Sequence, residues 1–134
     1  MTTVRVFRLD YAYSGNHVVV PVRLFPAGRP PITVNAVLDT GAAISFFDRA
    51  LLPILGITDV SSGTKIPLTA ANNDPADGYA FPVHLEIFGA PMTVPLTFSP
   101  DWPEGTTNLL GMQGFFDQVE VGLDHSARRL YVNI

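Results

Sequence analysis

An apolar run ends at a single carboxylate, that of Asp39, in the stretch Ile32-Thr33-Val34-Asn35-Ala36-Val37-Leu38-Asp39-Thr40-Gly41-Ala42. Its first seven residues predict a buried strand. An ionised carboxylate beside apolar neighbours costs several kcal/mol unless it is hydrogen-bonded, paired or shares a proton. Thr40 supplies a hydroxyl that can bridge to the backbone, and Gly41 lets the chain turn tightly beside Asp39. Because a purely structural role explains this polar cluster poorly, we interpret Asp39 as a functional residue.

A second motif, Asn108-Leu109-Leu110-Gly111-Met112-Gln113-Gly114-Phe115-Phe116, follows later in the chain. Together the two motifs resemble the retropepsin-like aspartic peptidases, which include the retroviral proteases and small bacterial domains. That family has an apolar strand leading into Asp-Thr-Gly-Ala, a flap hairpin, and an aliphatic pair plus Gly that opens a short helix. The resemblance covers about Val18 to Val132. It implies an all-β fold, a closed retropepsin-like β-barrel with one short C-terminal helix.

Length and composition predict one compact domain over residues 1–134. The 134 residues are enough to bury an ordinary core, and no linker divides them. The chain is 47% hydrophobic and 15% charged, with 12 Pro and 11 Gly. This composition is typical of many short strands joined by frequent turns.

The same composition argues against several classes of protein. No run approaches the roughly 20 apolar residues that cross a bilayer, and the segment Met1–Arg5 lacks the apolar stretch of a secretory signal. Cys is absent, which removes disulfides and thiolate metal sites and suits a cytoplasmic location. A net charge of −4 and a pI of about 5.1, without a basic stripe, argue against nucleic-acid binding. We expect neither a membrane nor a nucleic-acid partner, and no cofactor.

The apolar residues alternate or cluster in groups of strand length. The predicted strands are Val4–Leu9, His17–Phe25, Ile32–Leu38, Ile44–Phe47, Lys65–Thr69, Tyr79–Phe88, Met92–Phe98, Val119–Leu123 and Arg129–Ile134. Two short helices are predicted. One is capped by Asp48 and runs through Leu52, and the other runs from Met112 to about Gln118.

Aspartic proteolysis requires two carboxylates that share one proton, one as base toward water and one as acid toward the scissile carbonyl. The chain has one Asp-Thr-Gly and is too short for a two-lobed enzyme. The resemblance therefore implies a homodimer in which Asp39 is the catalytic residue of each subunit, supported by Thr40, Gly41 and Ala42. By analogy with the family, the segments Val4–Leu9 and Leu130–Ile134 are the expected interface strands.

A hairpin with a tip at Ala70–Gly78 is predicted between Lys65 and Phe88, because Asn, Asp, Pro and Gly are dense there. In the family such a hairpin is a flap that closes over a peptide substrate. The residues assigned to the flap and to substrate binding are Asn72, Asn73, Gly78 and Tyr79. An ordinary surface hairpin is the alternative interpretation.

The chain departs from the retroviral pattern at two positions. Retroviral proteases usually carry Asp two residues after the motif's Gly and Arg directly after the later aliphatic-Gly motif. Here those positions are Ala43 and Met112. Joint replacement of an ion pair by apolar groups is nearly neutral for stability, whereas loss of one partner strands a charge. We therefore expect the fold to persist and substrate specificity to differ from that of the retroviral enzymes.

Other candidate residues are less informative. His17, His84 and His125 are too scattered to favour a zinc site, and no metal site is predicted. Ser45 lacks the His-Asp context of a nucleophile, and Asp74 and Asp77 lack EF-hand spacing.

Trp102 is either a loop anchor or a rim residue of the cleft. Three functions remain open. The first is an aspartic endopeptidase, the second a catalytically silent retropepsin-like module for dimerisation or peptide binding, and the third an unrelated β-barrel binding protein.

Overall fold

The computed structural model describes residues 4–69 and 73–134 and is all-β, with 46% of the chain in strands and 7% helical. The ten strands, β1 to β10 in chain order, are Leu9–Ala12, Val19–Leu24, Ile32–Leu38, Ser45–Phe46, Thr64–Thr69, Pro75–Ile87, Ala90–Phe98, Leu109–Leu110, Glu120–Asp124 and Arg129–Asn133. Three single-turn 3₁₀ helices are described, at Arg49–Leu51, Val60–Ser62 and Phe116–Gln118. No helix in the described ranges is long and apolar enough to cross a membrane.

Six strands close into a barrel in the order β2-β3-β8-β4-β7-β6, and β6 pairs back with β2. The closing pairs are Arg23 with Glu86 and Leu24 with Leu85. Strand β5 extends the sheet from β6 as the other arm of a hairpin. The predicted all-β fold with a closed barrel is confirmed.

The barrel interior follows from the period-two pattern of its strands. In β2, Val20, Val22 and Leu24 are fully buried, whereas the intervening residues are exposed. Strands β6 and β7 present the facing aliphatic residues, and the largest fully buried side chains are Phe47, Phe98 and Phe115. Alternation places one set of side chains in the core and the other in solvent.

Strands β1, β10 and β9 form a second, three-stranded sheet. The predicted strand Val4–Leu9 is wrong in its position, because the strand begins at Leu9 and ends at Ala12. The side-chain amide of Asn133 instead hydrogen-bonds the chain before Leu9, donating to the Val6 carbonyl at 2.8 Å and accepting from the Arg8 amide at 2.8 Å. The ring of Phe7 lies 6.1 Å from that of Tyr131.

The helix predicted from Met112 to Gln118 is shorter in the structure, which has only the 3₁₀ turn Phe116–Gln118. Gly114 interrupts helical geometry with a φ of 84°, which lies outside the right-handed helical region. The helix predicted after Asp48 is the 3₁₀ turn Arg49–Leu51, and the Asp48 carboxylate caps it by accepting from the Ala50 amide at 3.0 Å.

The hairpin tip is also shorter than predicted. Thr69 pairs with Pro75 and Ile66 pairs with Gly78, so residues Pro75–Gly78 belong to β6 and not to the tip. Gly78 is buried, and a Cβ there would stand 2.8 Å from side-chain atoms of both Leu68 and Thr97. This close packing outweighs the local turn propensity. Residues Ala70, Ala71 and Asn72, like Met1–Thr3, lie outside the described residues.

Candidate active site

Strand β8 lies between β3 and β4. It pairs with β3 in the parallel direction and with β4 in the antiparallel direction. The chain that joins β3 to β4 is the motif Asp39–Ile44, so it must pass over the end of β8. The Asp39 amide donates to the Leu110 carbonyl at 2.9 Å, which extends the β3–β8 ladder by one bond. Sheet pairing therefore fixes the backbone of Asp39 directly.

The Asp39 carboxylate is oriented by its own loop. Its Oδ1 accepts a hydrogen bond from the Gly41 amide at 2.9 Å, and the Asp39 carbonyl accepts one from the Ala42 amide at 3.1 Å. A Cβ on Gly41 would stand 3.1 Å from Oδ1. Within residues 4–69 and 73–134 the second carboxylate oxygen has no hydrogen-bond partner. Asp39 is half-buried, so this oxygen is available to a ligand.

The two sequence motifs meet through backbone hydrogen bonds. The Met112 amide donates to the Ala42 carbonyl at 2.8 Å, and the Gln113 amide donates to the Ala43 carbonyl at 2.9 Å. Gly111 allows this approach, because a Cβ there would lie 2.3 Å from the Ile44 carbonyl oxygen and 2.7 Å from that of Ala42. The Leu110-Gly111-Met112 segment is thus a backbone clamp on the Asp39 loop.

Ser45 has a structural role in this clamp. It is 1% exposed, and its Oγ accepts a hydrogen bond from the Gly111 amide at 3.0 Å. Ala43 and Met112, the two positions that differ from the retroviral pattern, are joined to the clamp through backbone groups and carry no charge. The arrangement of the Asp39 loop therefore needs no ion pair at these positions.

Two cavities flank β8 next to Asp39. The first, which we call the carboxylate cavity, has a volume of about 410 Å³ and is lined by His17, Val37, Leu38, Asp39, Thr107 and Leu109. The second, the apolar cavity, has a volume of about 370 Å³ and is lined by Ala42, Ala43, Ile44, Phe46, Leu68, Thr69, Trp102, Thr106, Thr107 and Leu109. Thr107 and Leu109 line both, so the two cavities adjoin.

Of the residues predicted for the site, Asp39, Thr40, Gly41 and Ala42 lie together in one loop. Gly78 and Tyr79 lie inside β6 and line neither cavity. Asn73 is exposed with a φ of 64°, and Asn72 lies outside the described residues. In the described part of the chain, no group of three His, Asp or Glu residues is arranged to hold a metal ion.

The lining residues Phe46, Leu68 and Thr106 were not identified from the sequence. Phe46 could have been identified from the sequence, because it follows the Asp39 motif in a predicted strand and period-two alternation assigns its side chain to one face. Leu68 and Thr106 could not, because they lie on separate elements whose approach to the cavity the sequence does not show. Trp102, left open between a loop anchor and a rim residue of the cleft, anchors its loop, because its ring packs on Phe46 with centroids 4.3 Å apart, and it lines the apolar cavity.

No protein-family model and no curated protein sequence matches the chain. Among solved structures, it is similar to a retropepsin-like aspartic protease from Rickettsia conorii, with a TM-score of 0.64 and 15% sequence identity. The match covers 96% of this chain and 100% of the other. Together with the closed barrel and the loop of Asp39 over β8, this likeness identifies the architecture: the chain has the retropepsin-like fold.

Proposed function

We propose that this protein is an aspartic endopeptidase that hydrolyses peptide bonds as a homodimer. The observation that carries the proposal is the Asp39 carboxylate, which lines a cavity of about 410 Å³. One of its oxygens is held by the Gly41 amide at 2.9 Å, and the other has no hydrogen-bond partner among the described residues. The retropepsin-like fold is consistent with this chemistry, although a fold alone supports many functions.

A second subunit is required because Asp39 is the one carboxylate that lines the carboxylate cavity in the described chain. A two-fold axis beside Asp39 supplies an identical carboxylate without any further motif. The hydroxyl of Thr40 is exposed and makes no hydrogen bond within the described residues. It is therefore available to the backbone of the second subunit.

In this mechanism the two Asp39 carboxylates share one proton. The ionised carboxylate takes a proton from a water molecule, whose oxygen attacks the scissile carbonyl carbon, while the protonated carboxyl donates its proton to the carbonyl oxygen. The carboxyl that took the proton from water then donates it to the amide nitrogen, while the other carboxylate accepts a proton from one hydroxyl of the gem-diol. The C–N bond breaks, the amine leaves, and the new carboxyl terminus forms with one proton again shared by the pair. The bond from the Gly41 amide keeps the carboxylate oriented throughout.

The proposed interface lies around the three-stranded sheet. Large apolar side chains are exposed on it and on the segments that flank it, and their exposed fractions are 80% for Val4, 77% for Val6, 62% for Leu123 and 48% for Ile134. Exposed apolar area of this kind is typical of an association surface. Burial against a second copy would cover these side chains.

The β5–β6 hairpin is the proposed flap. Leu68 and Thr69, at the end of β5, line the apolar cavity next to the Asp39 loop, so the hairpin contributes to the wall of the proposed substrate cleft. Closure over a bound peptide would exclude water from the carboxylates.

The proposal is tested by incubating the protein with a diverse peptide library at several pH values and identifying the products by mass spectrometry. Asp39→Asn is expected to lower turnover by at least about 10⁴-fold, with the fold and the dimer unchanged in circular dichroism and sedimentation. Glu86→Gln is the matched control, because it neutralises a carboxylate that lines neither cavity. Retained turnover in Asp39→Asn, or full activity of a monomer, would overturn the mechanism. Peptide binding without cleavage in the wild type would support the silent module.

A further inference from the structure

The loop between β7 and β8 is tied to the chain that follows β4. Arg49 Nε donates to the Trp102 carbonyl at 2.8 Å, and Asp48 Oδ2 accepts from the Gly105 amide at 3.0 Å. The Asp48 amide also donates to Asn108 Oδ1 at 2.8 Å. Three bonds from two consecutive residues therefore hold this loop at its middle and at its end.

These bonds determine where the Trp102 ring lies. The ring packs on Phe46 at 4.3 Å with an interplanar angle of 51°, and together the two rings form one wall of the apolar cavity. Among the described residues, no charged side chain lines this cavity, whose volume is about 370 Å³. An apolar side chain therefore suits it, whereas an ionised one would be desolvated without a partner.

We propose that Trp102 is a specificity-determining residue, which limits the size of the apolar peptide side chain that the apolar cavity accepts, and that Asp48 and Arg49 are its positioning residues. The cavity adjoins that of Asp39 through Thr107 and Leu109, so it receives a residue close to the scissile bond. The inference rests on the proposed function for its catalytic readout but not for its binding readout.

The catalytic test compares cleavage preferences in the peptide library. Trp102→Ala enlarges the cavity, so the preferred side chain at one position is expected to change to a larger apolar one, by roughly 10-fold or more in kcat/KM. A homodimer has two such cavities related by its axis, so the change is expected at one position on each side of the scissile bond. Trp102→Phe, which retains a ring against Phe46, is expected to change the preference less.

Ala43→Leu is the opposite variant. It lines the same cavity and narrows it, so preference at the same positions is expected to move toward smaller side chains. This variant keeps Trp102 and its loop bonds, so it decides the question even if Trp102→Ala fails to fold. Tyr13→Ala is the control, because it removes an aromatic ring that packs on His125 and lines neither cavity.

Arg49→Ala tests positioning. Loss of the bond to the Trp102 carbonyl is expected to raise KM for peptides with the preferred apolar side chain. The differences in kcat/KM between peptides with different side chains are expected to shrink, with kcat little changed. Arg49→Lys keeps a donor and is expected to restore part of the preference, which a role in stability alone would not produce.

The binding test uses Asp39→Asn protein, which holds peptides without cleaving them. Trp102 is the single tryptophan of the chain, so intrinsic fluorescence reports on the apolar cavity itself. A hydroxyethylene peptide mimic with Leu beside the non-cleavable bond is expected to shift the emission, and the same mimic with Lys is expected to bind at least about 10-fold more weakly. Unchanged side-chain preference in both Trp102→Ala and Ala43→Leu, or equal binding of the Leu and Lys mimics, would overturn the inference. Absence of cleavage together with selective binding would overturn the proposed function alone.

Discussion

The Asp39 loop and the wall of the apolar cavity are neighbours that are held in different ways. Backbone groups fix the Asp39 loop, through the bonds from Met112 and Gln113 to the carbonyls of Ala42 and Ala43. Side chains fix the wall, through Asp48 and Arg49. A backbone clamp tolerates many side chains but no change in chain path, whereas a side-chain clamp can be altered one residue at a time. The geometry of the Asp39 carboxylate is therefore the rigid part of this region, and the wall of the apolar cavity is the part that substitutions can adjust.

Gly111→Ala is expected to have the largest effect, because it attacks the backbone clamp. The new Cβ would lie 2.3 Å from the Ile44 carbonyl oxygen, and neither atom belongs to a flexible side chain. We expect a loss of about 3 kcal/mol in the free energy of unfolding, measured by urea denaturation. Gly41→Ala is the comparison, since its Cβ would meet only Asp39 Oδ1 at 3.1 Å. It is expected to affect turnover more than stability. Equal stability of Gly111→Ala and wild type would contradict the clamp.

The next largest effect is expected in the pH dependence of turnover, which should depend on the Asp39 loop and not on the wall of the apolar cavity. A carboxylate pair that holds one proton loses activity when it gains a second proton and when it loses the shared one, so the profile is bell-shaped. Each limb is expected to fall about ten-fold per pH unit, with an optimum on the acid side of neutral. Trp102→Ala and Arg49→Ala are expected to keep the wild-type profile while KM changes. A profile with one limb would exclude a shared proton.

Asp48→Ala is expected to have a smaller effect on stability, with a distinct effect on the cleft. Its carboxylate caps the turn Arg49–Leu51 and holds the Gly105 amide, so its loss is expected to cost about 1–2 kcal/mol in urea denaturation. Asp59→Ala is the matched control, because Asp59 caps the turn Val60–Ser62 in the same way. Only Asp48→Ala is expected to alter side-chain preference. The same alteration in both variants would show that destabilisation alone causes it.

The smallest expected effect is at Asp124, a carboxylate outside both regions. The Ser126 hydroxyl and then the Ala127 amide lower the pKa of Asp124 by hydrogen bonding. Because the pKa of Asp124 is lower in the folded state than in the unfolded state, where it is about 3.9, ionised Asp124 stabilises the fold at pH values above the unfolded-state pKa. This contribution is lost as the pH falls through the folded-state pKa. Ser126→Ala is therefore expected to reduce stability slightly at pH 7 and less at pH 3, in urea denaturation at both pH values. An equal reduction at both would assign the effect to the hydroxyl's other contacts.

Much of the fold could be predicted, because period-two burial specifies strands such as β2 and the two motifs indicate how the ends of β3 and β8 meet. Two of the errors share one physical cause, which is that distant groups override local preference, whereas the shortened helix follows from the positive φ of Gly114. Asn133 hydrogen-bonds the backbone of Val6 and Arg8, so the segment before Leu9 is not part of β1. Pairing with β5 draws Pro75–Gly78 into a strand despite their turn propensity.

The candidate site likewise has a part that the sequence predicts and a part that depends on contacts between distant segments. Asp39, Thr40, Gly41 and Ala42 are contiguous, so one motif identified them. The apolar cavity draws on the Asp39 loop, on β4, on the hairpin and on the loop of Trp102, and single-sequence reasoning has no signal that joins residues from separate elements. Trp102 is an example, since the sequence around it left two roles open and only the packing of its ring on Phe46 identifies it as a loop anchor.

The position of β8 between β3 and β4 also sets the order of events during synthesis. Val37 pairs with Leu109 and Leu38 pairs with Leu110, so the Asp39 loop cannot acquire its final backbone bonds until the chain has been made as far as Gln113. Pairing between such distant segments is slow, because loop-closure entropy must be overcome first. A nascent chain that has emerged only as far as the β5–β6 hairpin therefore contains Asp39 but lacks the backbone bonds that hold the Asp39 loop.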